Sequence, residues 1–231
     1  MLGALLAVLR SGDALDKAFC EFEEMLASGQ WMFNEVHGVL DSGDTADIRE
    51  PLFIRDQDIN RLLRSLRSNL VTHLSINRNA DIAACLVLMS IAKDAERIGD
   101  YCKNLYEVTE HGGFDHIPPA YQDRLKAIPN EVEKIFGMVR DAFSESDTRQ
   151  AKVAIKAADT VRAACDAMAE ELLDDHSTIS TQEAVSCSMQ TRYFKRIASH
   201  LANIATAVFG RIEDLDFRKP PKQPVPNKDG S

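Results

Sequence analysis

Several things are scarce in this sequence, and each scarcity narrows what it can be. Its 231 residues hold five cysteines, Cys20, Cys85, Cys102, Cys165 and Cys187, an odd and scattered set with no Cys-x-x-Cys pair. That excludes a disulfide framework and a zinc knuckle and fits a reduced, cytoplasmic setting. Aromatic residues make up only 6% of the chain, and no stretch alternates apolar with polar, so strands are not predicted. Positive charge is in deficit, 27 Lys and Arg against 36 Asp and Glu for a net charge of −9. A chain whose task is holding nucleic acid needs clustered cations, so that class is set aside. No apolar run is long enough to span a bilayer. The opening MLGALLAVLR is apolar over residues 1–9 and then meets Ser-Gly-Asp, well short of the ~20 residues of a spanning helix and without the basic start of a secretory signal. It reads as a docking turn or short helix. The alternative, a weak interfacial anchor, would make the protein peripheral to a membrane at most.

Catalytic constellations are missing too. No Glu is followed three residues later by His, so the paired Glu-x-x-His ligands of di-iron bundles are absent. Neither a nucleophile with a plausible base nor a phosphate-cradling glycine loop is found. The chain reads as a non-enzymatic binding protein.

What the sequence does contain is helical periodicity. Leu15, Phe19, Phe22, Leu26, Phe33, Val36 and Leu40 keep one stripe facing a core, which predicts a long first helix ending at Asp-Ser-Gly-Asp, residues 41–44. Ile48, Leu52, Ile59, Leu62, Leu66, Leu70 and Leu74 predict a second, interrupted early by Pro51. A third carries Ile82, Cys85, Met89, Ala92, Ile98, Cys102 and Leu105 and stops at HGGFDHIPP, residues 111–119. A fourth helix around Leu125 to Phe143 tolerates Pro129, a fifth runs from about Thr148 to Asp175, and a sixth from about Thr181 to Arg211. The Pro- and Lys-rich end, residues 214–231, has little to bury and reads as a disordered tail.

The third and sixth helices repeat one another. Arg97, Ile98 and Asn104 return as Arg196, Ile197 and Asn203, a constant offset of 99 (196 − 97 and 203 − 104), which indicates a duplicated three-helix unit. The fold is therefore predicted as all-α, two tandem three-helix bundle repeats over residues 1–113 and 118–213. At the same offset Glu96 meets Lys195 and Asp100 meets Ser199. A pair of acids exists in the first half only.

On AERIGDYCKNL, on its degenerate echo KRIASHLANIA, and on DQDINRLLRSLRSNLVTHL in the second helix, the sequence resembles the PhoU family of phosphate-uptake regulators. The resemblance implies a six-helix bundle and a non-enzymatic regulator of phosphate homeostasis, an adaptor between a phosphate transporter component and a sensor histidine kinase. It also implies a divalent or iron-type metal at the first repeat, with Glu96 and Asp100 as ligands and Asp56 and Asn60 of the second helix, spaced by the same four residues, as further ligands. Alternatives are an accessory subunit of a sodium–phosphate cotransporter and a metal-binding or redox bundle. A homodimer is left open.

Three further readings come from the residues alone. Glu96 and Asp100 share a helix face and need a cation; if it is not a metal, then Arg97 with Arg55, Arg61 or Arg64 supplies it. Arg61, Arg64 and Arg67 recur every three residues, which is a solvated face or a contact for an acidic partner. His73 and His200 sit on apolar stripes as core or rim residues, and Trp31 and Met32 pack the first helix.

Overall fold

In the computed structural model residues 14–43, 48–78, 80–174, 179–212 and 215 are described. They form six long helices: α1 (Ala14–Ser42), α2 (Arg49–Ile76), α3 (Ile82–Thr109), α4 (Pro119–Glu145), α5 (Thr148–Leu173) and α6 (Thr181–Ala207), with one 3-10 turn (Gly113–His116) ahead of α4. No strand occurs among the described residues. None of the helices is long and apolar enough to cross a membrane. The apolar opening, residues 1–9, and nearly all of the 214–231 segment lie outside the described residues.

Punctuation in the sequence sets the ends. Gly43 takes the left-handed φ of 70° that closes α1, its N–H donating to Val39 O at 2.8 Å, a conformation glycine adopts without a Cβ penalty. Pro51 does not interrupt α2. The helix begins at Arg49, so the proline falls in the first turn, where its missing N–H would have had no partner in any case. Asp81 caps α3 by accepting from Ala84 N at 3.0 Å, Asp147 caps α5, and Ser180 with Glu183 forms a capping box on α6. Pro129 stands inside α4, which continues through it. The sixth helix stops at Ala207, four residues short of the predicted end, because Gly210 turns to a φ of 67°.

The repeat is visible in these boundaries. α2 and α5 start at residues 49 and 148, α3 and α6 at 82 and 181, an offset of 99 in both cases. Within the first bundle α3 packs on α1 and α2; within the second α6 packs on α4 and α5; and α3 and α6 pack on each other. One continuous apolar core runs through both halves. Phe33 of α1, Phe136 of α4 and Phe194 of α6 meet at its centre, with Phe33 ring centroids 5.5 Å from Phe136 and 6.3 Å from Phe194. Close approach of α3 to its neighbours depends on Gly99, where a Cβ would stand 3.1 Å from Ile59 Cδ1 and 3.7 Å from Met32 Sδ. The equivalent of Gly99 in α6 is Ala198, fully buried.

Candidate functional site

The polar residues singled out in the first repeat occupy two places. Glu96, 8% exposed, is held by residues of its own helix: Lys93 Nζ donates to Oε2 at 2.5 Å, and Arg97 Nε lies 3.9 Å from the same oxygen. Asp100 faces the other way along the helix. Its Oδ2 accepts from Arg97 at 3.2 Å, and its Oδ1 is 3.3 Å from Lys103 Nζ. Lys103 reaches across to α2, donating to Asp56 Oδ2 at 2.7 Å, and Asn60 completes the group with an Nδ2 contact of 3.4 Å to that oxygen. Asp56, Asn60 and Asp100 thus come together, with an ammonium between the two acids, while Glu96 stands apart.

The positive charge required by the acidic pair is therefore supplied from the same helix, by Arg97, as expected, together with Lys93 and Lys103 one turn away. It does not come from the arginines of α2. Arg55 lies over the Trp31 ring at 4.8 Å, Arg61 pairs with Asp58 at 3.1 Å, and Arg64 faces solvent. Burial on its own would pull the Lys103 ammonium down, but its hydrogen bond to Asp56 and the charges of Asp56 and Asp100 outweigh it and hold the pKa above the ordinary lysine value. A metal ion between Asp56 and Asp100 would have to take the place of that ammonium. Among the described residues no three His, Cys, Asp or Glu side chains converge on one point. As arranged, Glu96, Asp100, Asp56 and Asn60 do not make a ligand set for a metal. The other Asp56 oxygen, Oδ1, is buried without a hydrogen-bond partner, 3.6 Å from where a Cβ on Gly99 would be.

The second repeat differs at the matching positions. Lys195 is paired with Asp166 of α5, and Ser199 turns its hydroxyl onto Lys195 O at 2.7 Å. His200 has an acidic neighbour from the other bundle. Its Nδ1 is 2.7 Å from Asp94 Oδ1, which also accepts from Asn203 Nδ2 at 2.9 Å. The His200 ring stacks on Tyr101 at 5.6 Å, and Tyr101 meets Tyr193 at 6.0 Å. The offset of 99 that turns Asp94 into Tyr193 also turns Tyr101 into His200, so the pair Asp94–His200 is related to the pair Tyr193–Tyr101. Sequence periodicity alone missed this junction, since its partners are 106 positions apart; the repeat offset was the signal that could have found it. His73, by contrast, is the buried rim residue expected, 6% exposed and 3.0 Å from the Asn77 amide. Met32 is fully buried, and Trp31 packs on the core edge.

A family model described as the PhoU domain matches this chain twice, at residues 22–109 and 126–208. The chain belongs to the PhoU family. The two matches fall on the two halves of the bundle. A PhoU protein from Synechocystis sp., described as a phosphate-specific transport system accessory protein PhoU homolog, is 23% identical over 157 residues, covering 66% of this chain and 69% of its own. Two solved structures share the fold. PhoU from Pseudomonas aeruginosa superposes with a TM-score of 0.76 at 20% identity, covering 85% of this chain and 95% of that one. The phosphate transport system regulatory protein PhoU from Streptococcus pneumoniae gives 0.74 at 15% identity, covering 87% and 96%.

On this PhoU bundle the arginine ladder of α2 lies in the open. Arg61, Arg64 and Arg67 are all exposed, and Arg61 and Arg64 line a shallow depression with Gln57 and Asn60. Arg61 is partly neutralised by Asp58. Arg64 and Arg67 make no ion pair among the described residues.

Proposed function

We propose that the protein is a non-enzymatic regulator of phosphate uptake that acts in the cytoplasm as an adaptor, coupling a phosphate transporter component to a sensor histidine kinase. The observation that carries this reading is the double PhoU-domain match, residues 22–109 and 126–208, on a bundle whose α3 acids Asp94, Glu96 and Asp100 are paired with side chains of the chain itself. A protein of this kind acts by the surfaces it presents. The Arg61, Arg64 and Arg67 face is the contact proposed for an acidic partner, because guanidinium groups pair with carboxylates in a fixed planar geometry and complementary charge selects partners.

Deleting the gene should deregulate a phosphate-starvation reporter in phosphate-rich medium. Replacing Arg61, Arg64 and Arg67 together by Glu should reproduce the deletion while helicity and melting stay near wild type, since exposed substitutions usually change stability little. A folded triple variant that regulates normally would move the contact elsewhere. Unchanged phosphate control in the full deletion would end the regulatory reading.

A further inference from the structure

The repeat offset relates Lys93, Glu96, Arg97 and Asp100 of α3 to Arg192, Lys195, Arg196 and Ser199 of α6. Both basic positions are kept, and both acids are lost. In α3 the four charges cancel, Lys93 on Glu96 at 2.5 Å and Arg97 on Asp100 at 3.2 Å. In α6 the new lysine is consumed by Asp166, while Arg192 and Arg196, both exposed, make no ion pair or hydrogen bond among the described residues. Their spacing puts both guanidiniums on one face of the helix, where like charges repel until an anion joins them.

That face continues into an apolar groove. Met189 and Val185, 36% and 50% exposed, extend the stripe toward the start of α6. With Glu107 and Val108 of α3 and His111 just beyond its end they line a cleft of about 630 Å³. Apolar surface and uncompensated cations thus adjoin along a single helix.

We propose that this stripe, Val185, Met189, Arg192 and Arg196, docks an acidic segment of a partner protein, an apolar side chain entering the groove and carboxylates meeting the two guanidiniums. The chemistry favours a peptide over an anionic bilayer. Two cations attract a membrane only marginally, the chain as a whole carries a net charge of −9, and a concave cleft accepts a side chain better than a flat headgroup surface. The assignment is independent of the phosphate reading and of the Arg61, Arg64 and Arg67 face, because it follows from what the second repeat has lost.

The test uses the full chain and a fluorescein-labelled peptide in which a Leu-Leu pair precedes a run of glutamates, followed by anisotropy. Arg192→Glu with Arg196→Glu should weaken binding by about tenfold or more. Ser199→Asp, which returns to Arg196 the acid that Arg97 has in Asp100, should weaken it in the same direction without reversing a charge. Val185→Ser should weaken it through the groove, and the Arg61, Arg64, Arg67 triple variant should bind as wild type does. The proposal is overturned if wild type fails to bind the peptide, or if both the double variant and Ser199→Asp bind it undiminished. It is also overturned if inorganic phosphate alone displaces the peptide completely, or if vesicles containing phosphatidylglycerol are bound and the peptide is not.

Discussion

In the first repeat Lys103 stands between Asp56 and Asp100, 2.7 Å and 3.3 Å from their oxygens; at the equivalent positions of the second repeat stand Ala202, Ile155 and Ser199. At this site one helix pair is pinned by a partly buried ion cluster, and its relative by side-chain packing. Both keep the same helix starts, a small residue at the tightest crossing, Gly99 in one and Ala198 in the other, and the same Arg and Asn frame. A three-helix unit therefore needs its apolar stripe and its close approach, and the charge it carries is exchangeable. The junction between the halves says the same. An acid with a histidine on one side of the pseudo-symmetric crossing is answered by two tyrosine rings on the other, since either arrangement fills the contact.

The comparison can be broken most severely at Lys103. Lys103→Met leaves the Asp56 carboxylate buried without its cation and should cost about 3 kcal/mol, lowering the melting temperature by roughly 6–12 °C. The double variant Asp56→Ile with Lys103→Ala copies the second repeat and should recover most of that loss, because a buried ion pair can be exchanged for apolar packing at little net cost. If the double variant is as unstable as the single one, the two halves are not interchangeable at this site. The raised pKa of Lys103 adds a pH signature. Its stabilisation is complete below the ordinary lysine value of about 10.4 and is lost as the pH rises through the higher folded value. Denaturant midpoints of wild type and Lys103→Met should therefore converge in that alkaline range and differ most at neutral pH.

A smaller effect is expected at the junction. Asp94→Ala removes the acceptor shared by His200 and Asn203 and should cost about 2 kcal/mol, read as a drop in the urea midpoint. Tyr193→Ala, at the related position, should instead lose ring packing with Tyr101. A double-mutant cycle between Asp94 and His200 that shows no coupling would remove the ionic half of the comparison.

The smallest effect belongs to Lys195. Its pairing with Asp166 is solvent-exposed, with side chains 36% and 51% accessible. Lys195→Ala should cost no more than about 0.5 kcal/mol, so its melt should overlay that of wild type. A loss comparable to that of Lys103→Met would show that the second repeat also depends on an ion pair.

The sequence by itself determined the six helices, the duplication and the family, because those rest on local and periodic signals: a 3.6-residue apolar stripe, the Asp-Ser-Gly-Asp break at residues 41–44, and an offset that survives divergence. Pro51 was legible as a helix residue but misjudged as a break, since its effect depends on which turn it occupies, and that depends on where the helix starts. The acidic pair was correctly read as needing a cation. Tertiary structure decided which cation, because an ammonium on a flexible stem can reach a carboxylate on its own helix or the next, and only packing shows that Lys103 bridges to Asp56. It also decided the partner of His200, since the crossing of α3 over α6 joins residues far apart in the chain, and it left Arg192 and Arg196 exposed without an ion pair among the described residues.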